Sequence, residues 1–370
     1  MKVLIDASSI NKKNVLGSIP NYIFRLIDGF LAYSSFEIAL VVDYDFKDFF
    51  EKKYPTIQIH YLKRNYFLYR VPILGEIYGR NCYKRSITKI SYDIELIASD
   101  LDRSTRIKPR HPRILVIHDL KSIKDGNIFQ KKRNYRFYQN LINQSQSVIA
   151  ISDYTKNDIL KNFNIHKSKI STIPNSVQIS NREEPLCPVI LPKFILYVNT
   201  LLPHKNPITL IKAYELLEKE FNHKLIFVGK KTSYWQKQVL PYIKEHNLSN
   251  KIIQLQNLCS EELQYLYNKA SLFVSTSKRE GFGYTPIEAA ISKVPVICST
   301  CEALPFSTQG VLNYYEPVDD YNVLANKMRE ILKNPPCDDK LNAIATKFKD
   351  DYSPKKQIET FCTLIQRIVI

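Results

Sequence analysis

The sequence predicts an α/β protein made of two Rossmann-like domains that face a cleft. Three observations carry this expectation: two successive series of short apolar runs separated by amphipathic stretches, a proline-rich break between them, and a length of 370 residues, more than one ordinary core needs. The first series is Val3-Leu4-Ile5, Ile38 to Val42, Ile94 to Ala98, Ile114 to Ile117 and Val148 to Ile151. Continuous apolar runs of this length suit strands buried on both faces, and helical stretches between them suit parallel crossovers. The alternation stops near residue 178, and Pro185, Pro188 and Pro192 fall close together, which predicts a linker over 181–192 after a first domain over 1–180. The second series runs through Phe194 to Val198, Leu225 to Val228, Ile252-Ile253, Leu272 to Val274 and Val296-Ile297, giving a second domain over 193–352. A last helix, over 353–370, is apolar enough to dock.

Composition narrows the class. Hydrophobic residues make up 44% and charged residues 24%, the balance of a globular chain rather than a disordered or fibrous one. No apolar run approaches the roughly 20 residues that cross a bilayer, and the segment from Met1 to Asp6 reads as a strand, so the expected location is cytoplasmic. Seven cysteines without regular spacing agree with a reducing compartment, and Cys298-Ser299-Thr300-Cys301 lacks the second pair of a zinc site. The net charge of +17 is uneven. Residues 1–180 hold 29 Lys and Arg against 16 Asp and Glu, or +13, and the remainder holds 24 against 20, or +4. That asymmetry points the first half toward an anionic surface, membrane or nucleic acid.

The most informative stretch runs from Ser277 to Ala290. Glu280 precedes Gly281-Phe282-Gly283-Tyr284-Thr285, and Glu288 follows on the helix that Pro286 opens. Glycines let a loop backbone approach a ligand, and loop amides with the positive end of a helix suit a diphosphate. A pair of solvated acids would be the bland alternative, but an acid directly before Gly-Phe-Gly is a poor choice for a simple turn. The preceding strand places both carboxylates at the carboxyl edge of a parallel sheet, where open α/β folds bind ligands.

This stretch resembles retaining glycosyltransferases of family 4, which have the GT-B fold and carry E-G-F-G-x-x-x-x-E-A; Glu280 to Ala289 matches it. Other segments extend the resemblance over nearly the whole chain. Asn199-Thr200-Leu201-Leu202-Pro203-His204-Lys205-Asn206 is similar to the family's G-T-L-x-P-R-K-N, with Asn199 replacing a glycine and His204 an arginine. His118-Asp119-Leu120 matches its H-D-L, and the segments from Ile149 to Thr155 and from Ile173 to Val177 match V-I-A-V-S-x-x-T and V-x-P-N-G-V. Of the family's glycine-rich loop near the amino terminus, Gly17 alone survives.

The resemblance implies a nucleoside-diphosphate sugar as donor, held mainly in the second domain. Glu280 would contact sugar hydroxyls and Glu288 the ribose. Lys205, with the amides of Gly281, Phe282 and Gly283, would hold the diphosphate, flanked by Tyr284, Thr285, His204 and Asn206. Gly229 and Leu258 lie where the family surrounds the base, Gly17 near the phosphate, and His118 would approach the transferred sugar from the first domain. A protonated His204 would supply the missing arginine charge. Glu280, His118 and Lys205 are the expected catalytic residues, with mannose the first guess for the sugar.

No cofactor and no metal are expected. Asp43-Tyr44-Asp45 and Asp100-Leu101-Asp102 match the D-x-D of metal-dependent transferases, but neither lies in the second domain. Residues 63–89 interleave Tyr and Phe with cations around one acid, Glu76, which suits an anionic leaflet and a lipid-linked glycan acceptor at the inner face of the cell membrane. The competing readings are a nucleic-acid-binding protein using the same patch, and a GT-B nucleotide-sugar epimerase; with the transferase reading, no nucleic acid is expected.

Overall fold

The structure is a computed structural model that describes all residues except 12, 13, 16, 66, 68–73, 100–104, 106, 180–192 and 370. The predicted linker and the second D-x-D therefore lie outside the described residues. The chain divides into two compact units, residues 1–176 with 354–370, and residues 177–353.

The first unit carries a seven-stranded sheet in the order β3-β2-β1-β4-β5-β6-β7. Its strands are β1 Lys2–Asp6, β2 Glu37–Asp43, β3 Gln58–Leu62, β4 Ile94–Ile97, β5 Arg113–Ile117, β6 Ser147–Ala150 and β7 Ile170–Thr172. Every pairing is parallel, from Val3 beside Ile38 at one side of β1 to Val3 beside Ile94 at the other. The central strands read as unbroken apolar runs because helices cover both faces, and Val3, Leu4, Ile5, Leu96 and Val116 are fully buried.

The C-terminal helix Pro354–Val369 belongs to this unit. It lies against helix Ser18–Tyr33, where Gly29 permits the contact: a Cβ there would sit 2.8 Å from Ile358 Cγ1. Phe30 and Phe361 pack with ring centroids 6.0 Å apart, and Gln357 donates to the Pro174 carbonyl at 2.8 Å.

The second unit repeats the plan with six parallel strands in the order β10-β9-β8-β11-β12-β13. These are β8 Phe194–Val198, β9 Lys224–Val228, β10 Ile252–Leu255, β11 Leu272–Ser275, β12 Val296–Ser299 and β13 Asn313–Tyr315. The core on one face joins Tyr197, Phe227 and Trp235 to Leu324 and Met328 of helix Tyr321–Lys333. The chain winds outward from β8 to β10, then returns to add β11 on the other side of β8. Connections leaving β8 and β11 thus diverge, opening a crevice at their carboxyl ends.

A fully buried ion pair is sunk into the first unit. Arg113 at the start of β5 and Glu95 in β4 are both fully buried, with Arg113 Nε 2.8 Å from Glu95 Oε2. Tyr83 donates to the other carboxylate oxygen at 2.9 Å, and Arg113 Nη1 donates to the carbonyls of Thr105 and Ile107. Removing one partner strands the other charge in the core. Arg113→Met is therefore expected to lose about 3–5 kcal/mol in denaturant unfolding, and adding Glu95→Gln should recover part of that loss; an Arg113→Met protein as stable as the parent would show that the pair is not isolated from solvent.

Candidate active site

Lys205 and Glu280 meet at the crevice between β8 and β11. After β8 the chain passes Asn199 and makes a short 3-10 turn, Pro203–Lys205, which swings the Lys205 side chain back across the end of the sheet. Asn206 then takes a left-handed backbone conformation, φ 54°, and begins helix Pro207–Glu215. The turn is pinned from below: Tyr197 OH and Thr276 Oγ1 donate to the Lys205 carbonyl, at 2.8 and 3.1 Å, and Thr276 Oγ1 also reaches the Asn206 carbonyl at 2.8 Å.

After β11 comes Glu280. Its Oε1 accepts from Lys205 Nζ at 2.6 Å, Ser277 Oγ at 2.9 Å and Asn199 Nδ2 at 3.2 Å. Its amide donates to Glu302 Oε2 at 3.0 Å, tying the loop to the one that follows β12. Burial alone would push the Glu280 carboxyl up, but the Lys205 ammonium and the hydrogen bonds from Lys205, Ser277 and Asn199 outweigh it and hold the group below the ordinary carboxylate range. Glu280 is thus a carboxylate at neutral pH, largely enclosed and already neutralised. Lys205 also donates to the Arg279 carbonyl at 3.2 Å. An ammonium has three donors, so one remains for a ligand.

Gly283 follows with φ 92°, and a Cβ there would fall 2.5 Å from Leu304 Cδ2, so glycine is required twice over. It caps helix Tyr284–Ile291, so Tyr284 and Thr285, read from the sequence as loop, are the first helical residues. Gly281, Phe282 and Gly283 lead into that helix end. Glu288 stands one turn further on, its Oε2 accepting from the buried Tyr267 hydroxyl at 3.0 Å.

The remaining sites predicted for the donor lie along the same edge. Gly229 follows β9, and a Cβ on it would fall 2.0 Å from the Asn199 carbonyl oxygen, so the β8 and β9 loops touch only because this residue is glycine. Leu258 is half-buried in the loop after β10, beyond Asn257, which takes φ 59°. His204 is half-buried in the 3-10 turn, and its carbonyl accepts from the Lys278 amide at 2.8 Å.

Two predicted residues belong to the first unit. His118 follows β5 and is buried; its Nε2 is 3.0 Å from the Ala98 carbonyl, and Tyr22 meets the ring edge-on with centroids 4.6 Å apart. A carbonyl only accepts, so Nε2 carries the proton. Burial lowers the ring's pKa despite the Ala98 bond and nearby Asp119, leaving a neutral imidazole with Nδ1 as acceptor. Asp119 caps the next turn, accepting from the Lys121 amide at 2.9 Å. Gly17 caps helix Ser18–Tyr33, with its amide donating to Asn14 O at 2.6 Å.

Several groups that matter here carry no motif. Asn199, which the sequence marks only as a replaced glycine, helps hold Glu280; Ser277 sits within the stretch from Ser277 to Ala290, whereas Glu302 and Tyr267 are remote in sequence. Asp43 of the first D-x-D is bound to Arg64, Oδ2 to Nη2 2.6 Å, and also caps the Asp45 amide. Among the described residues no group of three or more His, Cys, Asp or Glu could hold a metal ion. Burial pushes the Cys301 thiol up to about 12, and Cys298 is buried, so the C-x-x-C pair offers no ready thiolate. Of residues 63–89, residues 66 and 68–73 lie outside the described residues. No described helix is long and apolar enough to cross a membrane.

Comparison with known families divides the chain into two matched parts. Residues 191–348 match the family of glycosyl transferases group 1, and residues 21–181 match glycosyltransferase family 4. The chain is a group 1 glycosyltransferase. It is 29% identical over 246 residues to the O-antigen chain mannosyltransferase RfbU of Salmonella typhimurium, covering 66% of this chain and 67% of that protein. It is 30% identical over 208 residues to O-antigen chain mannosyltransferase B of Escherichia coli, covering 52% and 54%. The aligned part therefore spans about two thirds of the first relative and about half of the second. Among solved structures, a glycosyltransferase from Rickettsia africae ESF-5 superposes with a TM-score of 0.80 at 17% identity, covering 100% and 98% of the two chains. Anabaena HepE in complex with UDP and glucose gives 0.75 at 17% identity, covering 98% and 99%. These likenesses establish the GT-B fold for the glycosyltransferase described here.

The Glu280–Lys205 pair makes a pH prediction. Glu280's folded pKa lies below its unfolded value, so its contribution to stability is full above the unfolded carboxylate range and is lost as pH falls through the lower, folded value. In Lys205→Met, burial is opposed by Ser277 and Asn199 without the ammonium, so the folded carboxyl rises toward or above its unfolded value and the acid loss of thermal stability should shrink, as it should in Glu280→Gln. Superimposable acid limbs for the parent and Lys205→Met would show that Lys205 does not set the charge state.

Proposed function

We propose that this glycosyltransferase is a retaining hexosyltransferase that moves mannose from a nucleoside-diphosphate donor, GDP-mannose first, to a hydroxyl of a lipid-linked or growing surface glycan. The observation that carries the reading is the enclosed, ionised Glu280 bound to Lys205 at the crevice between β8 and β11, with Glu288 one turn into the following helix. The names of RfbU and mannosyltransferase B support mannose and an O-antigen-like or capsular glycan. UDP and glucose bound to HepE support a nucleotide-sugar donor.

In this reading Glu280 accepts from hydroxyls of the sugar and Glu288 from the ribose. The third donor of Lys205 and the amides of Gly281, Phe282 and Gly283 take the diphosphate, aided by the positive end of helix Tyr284–Ile291. His204, Asn206, Tyr284 and Thr285 flank it, and Gly229 and Leu258 border the base. His118 serves the transferred sugar as a neutral imidazole, and Gly17 serves the phosphate end.

No side chain is needed as nucleophile. The acceptor oxygen attacks the anomeric carbon on the face the phosphate leaves, the carbon–phosphate-oxygen bond breaks, and that departing oxygen takes the acceptor's proton. Configuration is then retained, and catalysis is positioning plus stabilisation of the leaving-group charge. Lys205 and the amides carry that charge, so the proposed reaction uses no metal and no cofactor. The enzyme works in the cytoplasm as a peripheral protein at the inner face of the cell membrane, meeting anionic lipid through residues 63–89.

A thermal-shift series with GDP-, UDP-, dTDP- and ADP-sugars, followed by product analysis, tests this. GDP-mannose should raise the midpoint of the parent, because a ligand bound only to the folded state stabilises it. Lys205→Ala and Glu288→Ala each remove a charge-assisted bond worth about 1.5–3 kcal/mol, so nucleotide affinity should fall by roughly 10–100-fold. Release of an epimerised sugar nucleotide without acceptor would replace transfer by epimerisation. A shift with RNA alone would sink the enzyme reading.

A further inference from the structure

We propose that the amino-terminal ends of two helices in the first unit, Leu74–Thr88 and Ile128–Gln144, form an end-on docking surface for an anionic phospholipid leaflet, with lipid phosphate held in the cavity between them. This deepens the lipid-linked acceptor reading and rests on it.

Helix Ile128–Gln144 begins with two large apolar residues in solvent, Ile128 at 75% and Phe129 at 82% exposure. Helix Leu74–Thr88 begins the same way, with Leu74 at 66% and Ile77 at 51%. Behind these tips lie cations. Phe129, Arg133, Arg136 and Asn140 recur at helical spacing on one face, and with Lys132 and Arg80 of the neighbouring helix they line a cavity of about 390 Å³. Helix Ile128–Gln144 holds four Lys and Arg and no acid. An ordinary solvated face accounts for the cations but not for isoleucine and phenylalanine at its exposed tip.

The spacing matches a bilayer interface. At 1.5 Å per residue, Arg136 lies about 10 Å along the axis from Phe129, with Lys132 and Arg133 about one turn from it. Apolar side chains of interfacial helices enter about 5–10 Å, to the acyl boundary, which leaves these cations at the level of the phosphates. The helix amides are not the anion site, because Asn127 and Gln130 close a capping box over them. Recognition therefore falls to the Lys and Arg side chains.

The apolar tips also choose between lipid and nucleic acid. Bases stack on rings, whereas Leu74, Ile77 and Ile128 offer no π-face and suit acyl chains. Finally, both helices follow parallel strands, so their amino-terminal ends lie at the carboxyl edge of the sheet, the edge that carries His118. A leaflet docked there presents its lipid-linked glycan to the reacting edge of this unit.

Vesicle flotation tests this with the full chain, using phosphatidylcholine vesicles with and without phosphatidylglycerol. The variants are Ile128→Ser with Phe129→Ser, and Lys132→Glu with Arg133→Glu, all at exposed positions. The parent should float with the phosphatidylglycerol vesicles, each double variant should partition at least about tenfold more weakly, and the GDP-mannose thermal shift should be the same in all three. The proposal is overturned if the parent does not float, if the variants float as the parent does, or if the parent binds single-stranded RNA through these residues in preference to vesicles. A parent that floats by these residues but shows no sugar-nucleotide shift would leave the docking surface standing and remove the donor assignment instead.

Discussion

Every strand pairing in both sheets is parallel, and that constraint places the chemistry. A parallel strand can be reached only by a crossover, so each strand ends at the same edge and each connecting loop must leave from there. In the second unit the order of strands reverses between β8 and β11, where the two outgoing loops part. Lys205 comes from one loop and Glu280 from the other, 75 residues apart in sequence and 2.6 Å apart in space. No local turn could bring such residues together; the reversal of winding does.

Enclosing a carboxylate at that point is costly, and the structure shows how the cost is met. Lys205 supplies the opposite charge, while Ser277 and Asn199 supply neutral donors to the same oxygen. The Arg113–Glu95 pair in the first unit shows the contrasting design. Both of its members are fully sealed between adjacent strands, with Arg113 Nε given to Glu95 and Nη1 to the carbonyls of Thr105 and Ile107. Such a pair fixes the packing of β4 against β5 and has no access to a ligand. The Glu280 pair lies at a strand end, is partly reachable, and keeps a donor on Lys205. Burial without access makes a structural ion pair, and burial with a remaining donor makes a binding one.

The sequence makes the central strands legible and the outer ones obscure. Strands buried on both faces, such as Val3-Leu4-Ile5 or Ile114 to Ile117, must be apolar throughout and announce themselves. The edge strands β3, β7 and β13 carry no such signal, because Gln-Ile-His-Tyr-Leu, Ile-Ser-Thr and Asn-Tyr-Tyr are short, partly polar and only half covered. The site divides in the same way. Glu280, Gly283 and Glu288 form one contiguous pattern, because loop, cap and helix are local. Tyr267, from helix Ser260–Lys269, and Glu302, from the loop after β12, hold Glu288 and the Glu280 amide from distant parts of the chain and leave no local signature. The D-x-D at Asp43 shows the converse: a short pattern that metal sites also use is committed to Arg64 and a turn cap.

Asn199 stands at the intersection of these arguments. A glycine at this position would leave room in the crevice; the asparagine fills some of it and returns a donor to Glu280. Its own carbonyl lies against Gly229, so the β8 loop cannot retreat toward β9 to make space. Its side-chain oxygen meanwhile accepts from the Thr200 amide at 2.9 Å, which fixes the rotamer that points the nitrogen at Glu280. The donor supplied by Asn199 is therefore built into the loop. Together with Ser277, it lets Glu280 share its charge among three partners, so that Lys205 does not have to spend all of its donors on holding the carboxylate.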